Sequence, residues 1–244
     1  MITSPHNQKL KEIRKLRQQR RWRERAGQFV AEGEDLLSSA DTNGWIPIER
    51  YAAAGSGLPG VEVEPALLAS ASGLGSGTRT LAVYEERWAP APAGPLCVYL
   101  HGVHDPGNVG AVLRSAAAFG ASCVALGPGT ADPYSPKAVR ASMGAVFAVP
   151  LARGIVDELP GLKIALVPRA GDPLHGLWRS TPVYVMSSAK DVTVMIGAER
   201  EGLPEEVVAG ADHLAHIPIQ TDSLNAAMAA TVALYELSRR MAPE

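Results

Sequence analysis

Leu96-Cys-Val-Tyr-Leu-His-Gly-Val-His-Asp-Pro-Gly-Asn-Val-Gly-Ala-Val-Leu-Arg114 decides the fold. An unbroken apolar run meets a turn sequence, and apolar residues then recur at helical spacing. The stretch reads as a strand, Leu96–His101, and a helix, Val109–Phe119. Asp105-Pro-Gly107 makes the turn and Asn108 caps the helix. The same alternation continues downstream. Candidate strands are Ser122–Leu126, Val146–Val149, Lys163–Pro168, Val192–Ile196 and His213–Ile217. Candidate helices are Ser135–Ser142, Pro204–Ala209 and Ser223–Met241. Several of these strands are continuous apolar runs, as in a parallel sheet covered on both faces. The fold class is α/β with a mainly parallel sheet.

Upstream, Ala89-Pro-Ala-Pro-Ala-Gly-Pro95 reads as a semi-rigid linker. It divides the chain into residues 1–88, a linker at 89–95, and residues 96–244. The first part shows short alternating elements of a small α/β module. Its candidate strands are Gln28–Ala31, Trp45–Tyr51, Val61–Val63 and Arg79–Tyr84, with helices at Glu34–Ala40 and Pro65–Ser70. Gly73-Leu-Gly-Ser-Gly77 opens no helix, so it reads as a turn and not as a phosphate cradle.

A basic helix from about His6 to Arg25 leads this module, with Ser4 as its cap and Pro5 at its start. Residues 1–25 hold nine Lys/Arg against two Glu, a net +7, while the remaining 14 basic and 23 acidic residues give −9. Leu10, Ile13 and Leu16 space out an apolar face, and Arg14, Arg17, Arg21 and Arg25 run along another. Charges of nearly one sign repel one another unless an anion meets them, which points to nucleic acid. A merely solvated face is the competing reading.

With 46% hydrophobic and 20% charged residues, the chain is neither disordered nor fibrous. Cys97 and Cys123 sit in apolar runs and read as reduced core thiols, not a disulfide framework. No apolar run approaches a membrane span, and no secretory signal opens the chain, so a cytoplasmic protein without a membrane is expected. His213 and His216 lack acidic or thiol partners, so no metal site is expected.

Three clusters sit at strand-to-helix junctions, where ligands collect in open α/β sheets. The first runs from His104 to Arg114, with Gly110 and Arg114 on one helical face. The second is Ile196-Gly-Ala-Glu-Arg-Glu-Gly-Leu203, whose Gly197 lets a ligand approach the strand end and whose Glu199 lies at the sheet edge. The third is His216-Ile-Pro-Ile-Gln-Thr-Asp-Ser-Leu-Asn225, where Ser223 or Asn225 caps the last helix. No nucleophile elbow, Walker loop or dinucleotide fingerprint is present.

In this order the three clusters resemble the three signature motifs of the SpoU/TrmH family of RNA ribose 2′-O-methyltransferases, within the knotted SPOUT superfamily. The resemblance covers roughly residues 96–240. Ser4-Pro-His-Asn7 and Phe29-Val-Ala-Glu-Gly33 also resemble a ribosomal-protein-like RNA substrate-binding domain. The resemblance implies a trefoil knot, S-adenosylmethionine as cofactor, an RNA partner, most simply ribosomal RNA, and a homodimer. Gly197, Ile217 and Leu224 would line the cofactor. Asn108, Arg114, Glu199, Ser223 and Asn225 match the family's polar site residues. Arg140, in Val139-Arg-Ala-Ser-Met-Gly144, would join Arg14, Arg17, Arg21 and Arg25 in facing RNA. A tRNA substrate, or an inactive RNA-binding scaffold, is the alternative.

Overall fold

In the computed structural model, residues 1–73, 77–177 and 191–241 are described; the centre of the Gly-rich turn lies outside them. The chain forms two compact units. One comprises Met1–Arg87 with Asp132–Ala148, the other Trp88–Ala131 with Val149–Glu244.

The first unit carries a four-stranded sheet of β1 (Gln28–Glu32), β2 (Glu49–Ala53), β3 (Val61–Val63) and β4 (Thr80–Glu85), in the order β1-β4-β2-β3. β4 runs antiparallel to both β1 and β2, and β3 lies parallel to β2. The expected N-terminal helix divides into α1 (Gln8–Gln18) and α2 (Arg20–Ala26), with Gln19 extended between them. The break has a side-chain cause. Arg23 folds back and donates to the Leu16 carbonyl at 2.7 Å, satisfying an end that α1 leaves open. Asn7, not Ser4, caps α1 through Lys9 N at 2.9 Å. Leu10, Ile13 and Leu16 turn inward against β-strand residues and against α4 (Pro65–Ala71). The helix α3 (Glu34–Thr42) completes the module.

Asp132–Ala148 belongs with this first unit, whereas the sequence places it in the second. The segment holds α6 (Pro136–Ala141) and the short α7 (Ala145–Ala148), where a strand Val146–Val149 is expected from its apolar run. Phe147 and Tyr134 join Phe29, Trp45 and Tyr84 in one aromatic cluster with centroids 4.6–6.3 Å apart. Trp45 Nε1 donates to the Phe147 carbonyl at 2.8 Å. A short apolar run has no period of its own, so these partners choose helix over strand.

The second unit is a seven-stranded sheet. Its strands are β5 (Leu96–Leu100), β6 (Cys123–Leu126), β7 (Leu151–Arg153), β8 (Leu162–Leu166), β9 (Asp172–Pro173), β10 (Val192–Ile196) and β11 (His213–His216). The order is β7-β6-β5-β10-β8-β11-β9, with every pairing parallel. Chain order reverses between β5 and β10, so the sheet has a switch point there. β9 is too short to leave a period in the sequence. The helix α5 (Pro106–Ala118) follows β5, and α8 (Glu205–Ala209) follows β10. The last helix, α9 (Ala226–Met241), packs on α5, β5 and β10. Ser115 and Thr231 hydroxyls meet at 2.6 Å, and the Phe119 and Tyr235 rings lie 5.9 Å apart. Cys97 and Cys123 are free, buried and in register on β5 and β6. No helix among the described residues is long and apolar enough to cross a membrane, and they hold no metal-binding cluster.

Candidate active site

A cavity of about 1140 Å³ opens beyond the carboxyl ends of β8, β10 and β11. Its walls are three loops, residues 166–169, 196–203 and 216–224. Two of these are the second and third sequence clusters. The first wall-forming loop after β8 is absent from the sequence reading; the signal was there, in Pro168-Arg169 just past an apolar strand.

Gly197, Ile217 and Leu224 all line the cavity. The need for glycine at 197 has a different cause from the expected one. A Cβ there would lie 2.2 Å from the carbonyl carbon of Gly202 and 2.4 Å from Leu203 N. The loop itself returns across the strand end, with Ala198 and Gly202 exchanging backbone hydrogen bonds at 3.0 and 3.1 Å. Close backbone approach fixes the glycine before any ligand arrives.

The polar residues of the three clusters converge. Asp105 caps α5 through Gly107 N at 2.6 Å, so Asn108 lies inside the first turn instead of capping it. Its side chain is free to reach across. Asn108 Nδ2 donates to the Glu199 carboxylate, and Asn225 Nδ2 donates to Asn108 Oδ1 at 3.0 Å. Asn225 Oδ1 accepts from Ala227 N at 2.9 Å and Met228 N at 3.3 Å, capping α9. Each amide is thereby oriented, and a polar chain runs from the start of α9 to Glu199. Asn225 caps the last helix, while Ser223 lies exposed on the cavity rim.

Arg114 stands outside this chain of bonds. It is exposed on α5 and makes no hydrogen bond or ion pair among the described residues. Beside the site, His101 follows β5 and shares a 3.0 Å hydrogen bond with the Tyr99 hydroxyl. Burial holds its pKa below the ordinary value, with the charge of Glu206 opposing, which favours the neutral ring.

The five arginines expected to face RNA fall in the first unit and are not alike. Arg21 and Arg25 are exposed. Arg14 donates to Ser70 Oγ at 3.0 Å. Arg17 turns inward, donating to the Ala71 carbonyl at 2.6 Å and pairing with buried Glu32 at 3.5 Å. Burial lowers the Arg17 pKa, Glu32 opposes this, and the charge of Arg140 adds to it. Arg140 lies 3.7 Å from the same carboxylate and stays half exposed.

The cavity residues fit a cationic, adenosine-bearing ligand. Ile196, Leu203, Ile217 and Leu224 give apolar wall for a ring. Glu199, Glu201 and Asp222 outnumber Arg169 and Arg200, which suits a positive centre.

A cavity built from loops beyond the carboxyl ends of a parallel α/β sheet is where ligands bind in such folds, and the comparisons supply the class, SpoU methyltransferases. An S-adenosylmethionine-bound rRNA methyltransferase from Sinorhizobium meliloti superposes with a TM-score of 0.85 at 29% identity, over 99% of this chain and 98% of that one. The 23S rRNA (guanosine(2553)-2′-O)-methyltransferase RlmP of Bacillus subtilis is 28% identical over 97% of this chain and 98% of its own length. Ribosomal RNA small subunit methyltransferase G 2 of Syntrophobacter fumaroxidans is 34% identical over 98% of this chain, which spans 49% of that relative. Residues 95–235 match the SpoU rRNA Methylase family. The chain belongs to that family.

Proposed function

We propose that the protein methylates the ribose 2′-hydroxyl of a nucleotide in ribosomal RNA, acting as a homodimer in the cytoplasm. The observation that carries this reading is the hydrogen-bonded chain Asn225–Asn108–Glu199 beside the cavity, which joins all three clusters in one site. Relatives named for ribosomal RNA support the substrate. The exposed Met228, Val232 and Tyr235 of α9 lie at spacings of four and three, one apolar face suited to a second copy.

When bound, S-adenosylmethionine supplies an electrophilic methyl group on a sulfonium. Cavity loops hold this group, and the carboxylates of Glu199 and Glu201 favour its positive charge. Asn108 and Asn225 fix the direction of Glu199, so the site is organised before substrate arrives. The ribose oxygen gains a methyl and loses a proton. Arg114 keeps its own proton and is no base. Its guanidinium instead donates hydrogen bonds to the RNA phosphate and to the oxygen as negative charge develops there. The departing proton passes to that phosphate or to water. In the first unit, Arg21, Arg25 and Arg140 meet the RNA backbone, while Arg17 and Arg14 hold the helices that present them.

The test is incubation of the purified chain with methyl-labelled cofactor and ribosomal RNA, then nuclease digestion. One 2′-O-methylated nucleoside at one position is the expected product. Label on a base, or on tRNA alone, removes this reading.

A further inference from the structure

The rim of the cavity carries an ion pair that the reaction described above does not use. Arg169, just beyond β8, meets Asp222, in the loop beyond β11, at 2.5 Å. Both residues line the cavity. The same two segments are tied a second time, by His216 Nδ1 and the Gly171 carbonyl at 3.2 Å.

Arg169 occupies the left-handed region at φ +57°, one of two non-glycine residues to do so among those described. A bulky side chain there is strained. The strain is not offset by the ion pair in the folded protein. Its side chains are 69% and 96% exposed, and exposed pairs stabilise little. Fold stability therefore gives no reason for an arginine at this position. Its place does, because the pair spans the cavity mouth between two of its walls.

We propose that Arg169 and Asp222 are positioning residues for the cofactor, a clasp that holds the 166–169 and 216–224 walls together around it. The inference rests on the S-adenosylmethionine site assigned above. With the clasp closed, both walls stay in contact with the bound molecule, and opening must precede escape. The pair acts through the loops and takes no part in the methyl transfer.

Calorimetric titration of the full chain with S-adenosylmethionine tests this, using Arg169→Gly, Asp222→Asn and the double variant. Glycine relieves the strain as it removes the guanidinium, so Arg169→Gly should melt no lower than the parent. Each single variant should weaken cofactor Kd about 3- to 5-fold, the scale of an exposed pair. The double variant should be no weaker than the weaker single, because the two act as one unit. Added salt should weaken the parent more than it weakens Arg169→Gly. Joint reversal, Arg169→Asp with Asp222→Arg, should restore affinity, since Asp tolerates the left-handed region. Parent-like Kd in both singles, or losses that add in the double, overturns the clasp. A parent that binds no cofactor overturns the methyltransferase reading itself, and the clasp with it.

Discussion

Arg23 and Arg17 of the first unit and Arg114 of the second stand in opposite settings. In the first unit, Arg23 is buried against Asp132 at 2.7 Å, with side-chain exposures of 5% and 11%. Arg17 is sealed beside Glu32 at 13% and 7%. In the second unit, Arg114 stands exposed on α5 and unpaired among the described residues. A guanidinium that holds a fold together has its partner inside the chain. One that works on a substrate is left with its donors free, at a site whose other polar groups already bond one another. The sequence shows nine basic residues in one run and Arg114 well apart from it; only pairing separates their settings.

Substitutions that exchange stability for activity break this contrast most sharply. Arg23→Ala should cost about 3–5 kcal/mol, because it leaves the Asp132 carboxylate uncompensated in a buried place. Chemical denaturation measures it, and a loss below about 1 kcal/mol would return Arg23 to the surface class.

Arg114→Ala should do the reverse. The melting temperature and cofactor affinity should hold, while single-turnover methylation of saturating RNA falls about 10²-fold or more. Arg114→Lys should recover little of it, since a point charge lacks the planar fork. A near-normal rate in Arg114→Ala defeats the assignment.

Asn225 both caps α9 and donates to Asn108, so two substitutions separate the two bonds. Asn225→Ala removes the cap of α9 and should cost roughly 1 kcal/mol. Asn225→Asp keeps the capping oxygen and loses the donor to Asn108. Stability should survive in Asn225→Asp and methylation should drop, as read by melting and by initial rate. Equal loss of both in the two variants would mean that the cap alone matters.

The mildest test concerns the arm. Arg21→Glu with Arg25→Glu should flatten the salt dependence of RNA binding by about 1.5 in slope, two phosphate contacts' worth. Cofactor affinity should stay put. Arg14 and Arg17 are poor choices for this experiment, because reversing Arg17 sets two carboxylates against each other beside Ala71. An unchanged slope leaves the arm as a solvated face.

The strands Leu96–Leu100 and Val192–Ile196 were legible because a strand buried on both faces is mostly apolar, and local sequence records that directly. The three clusters were legible for a related reason. Turn chemistry, glycine spacing and helix starts are short-range properties, and they place Asn108, Glu199 and Asn225 each at a junction. Several outcomes depended on partners far away in the chain. Val146–Ala148 became helix under an aromatic cluster drawn from residues more than a hundred positions apart. The basic helix broke at Gln19, where Arg23 returns to cap α1 and also pairs with Asp132. Gly197 is required by the backbone of its own loop, which its neighbours in sequence do not reveal. The sequence by itself determined which elements form and where the polar clusters lie, since propensity, period and capping act over a few residues. Tertiary structure alone decided which arginines are spent on the fold, how Asn108 reaches Glu199, and which loop after β8 closes the cavity, because charge pairing and close packing depend on what the folded chain brings within a few ångströms.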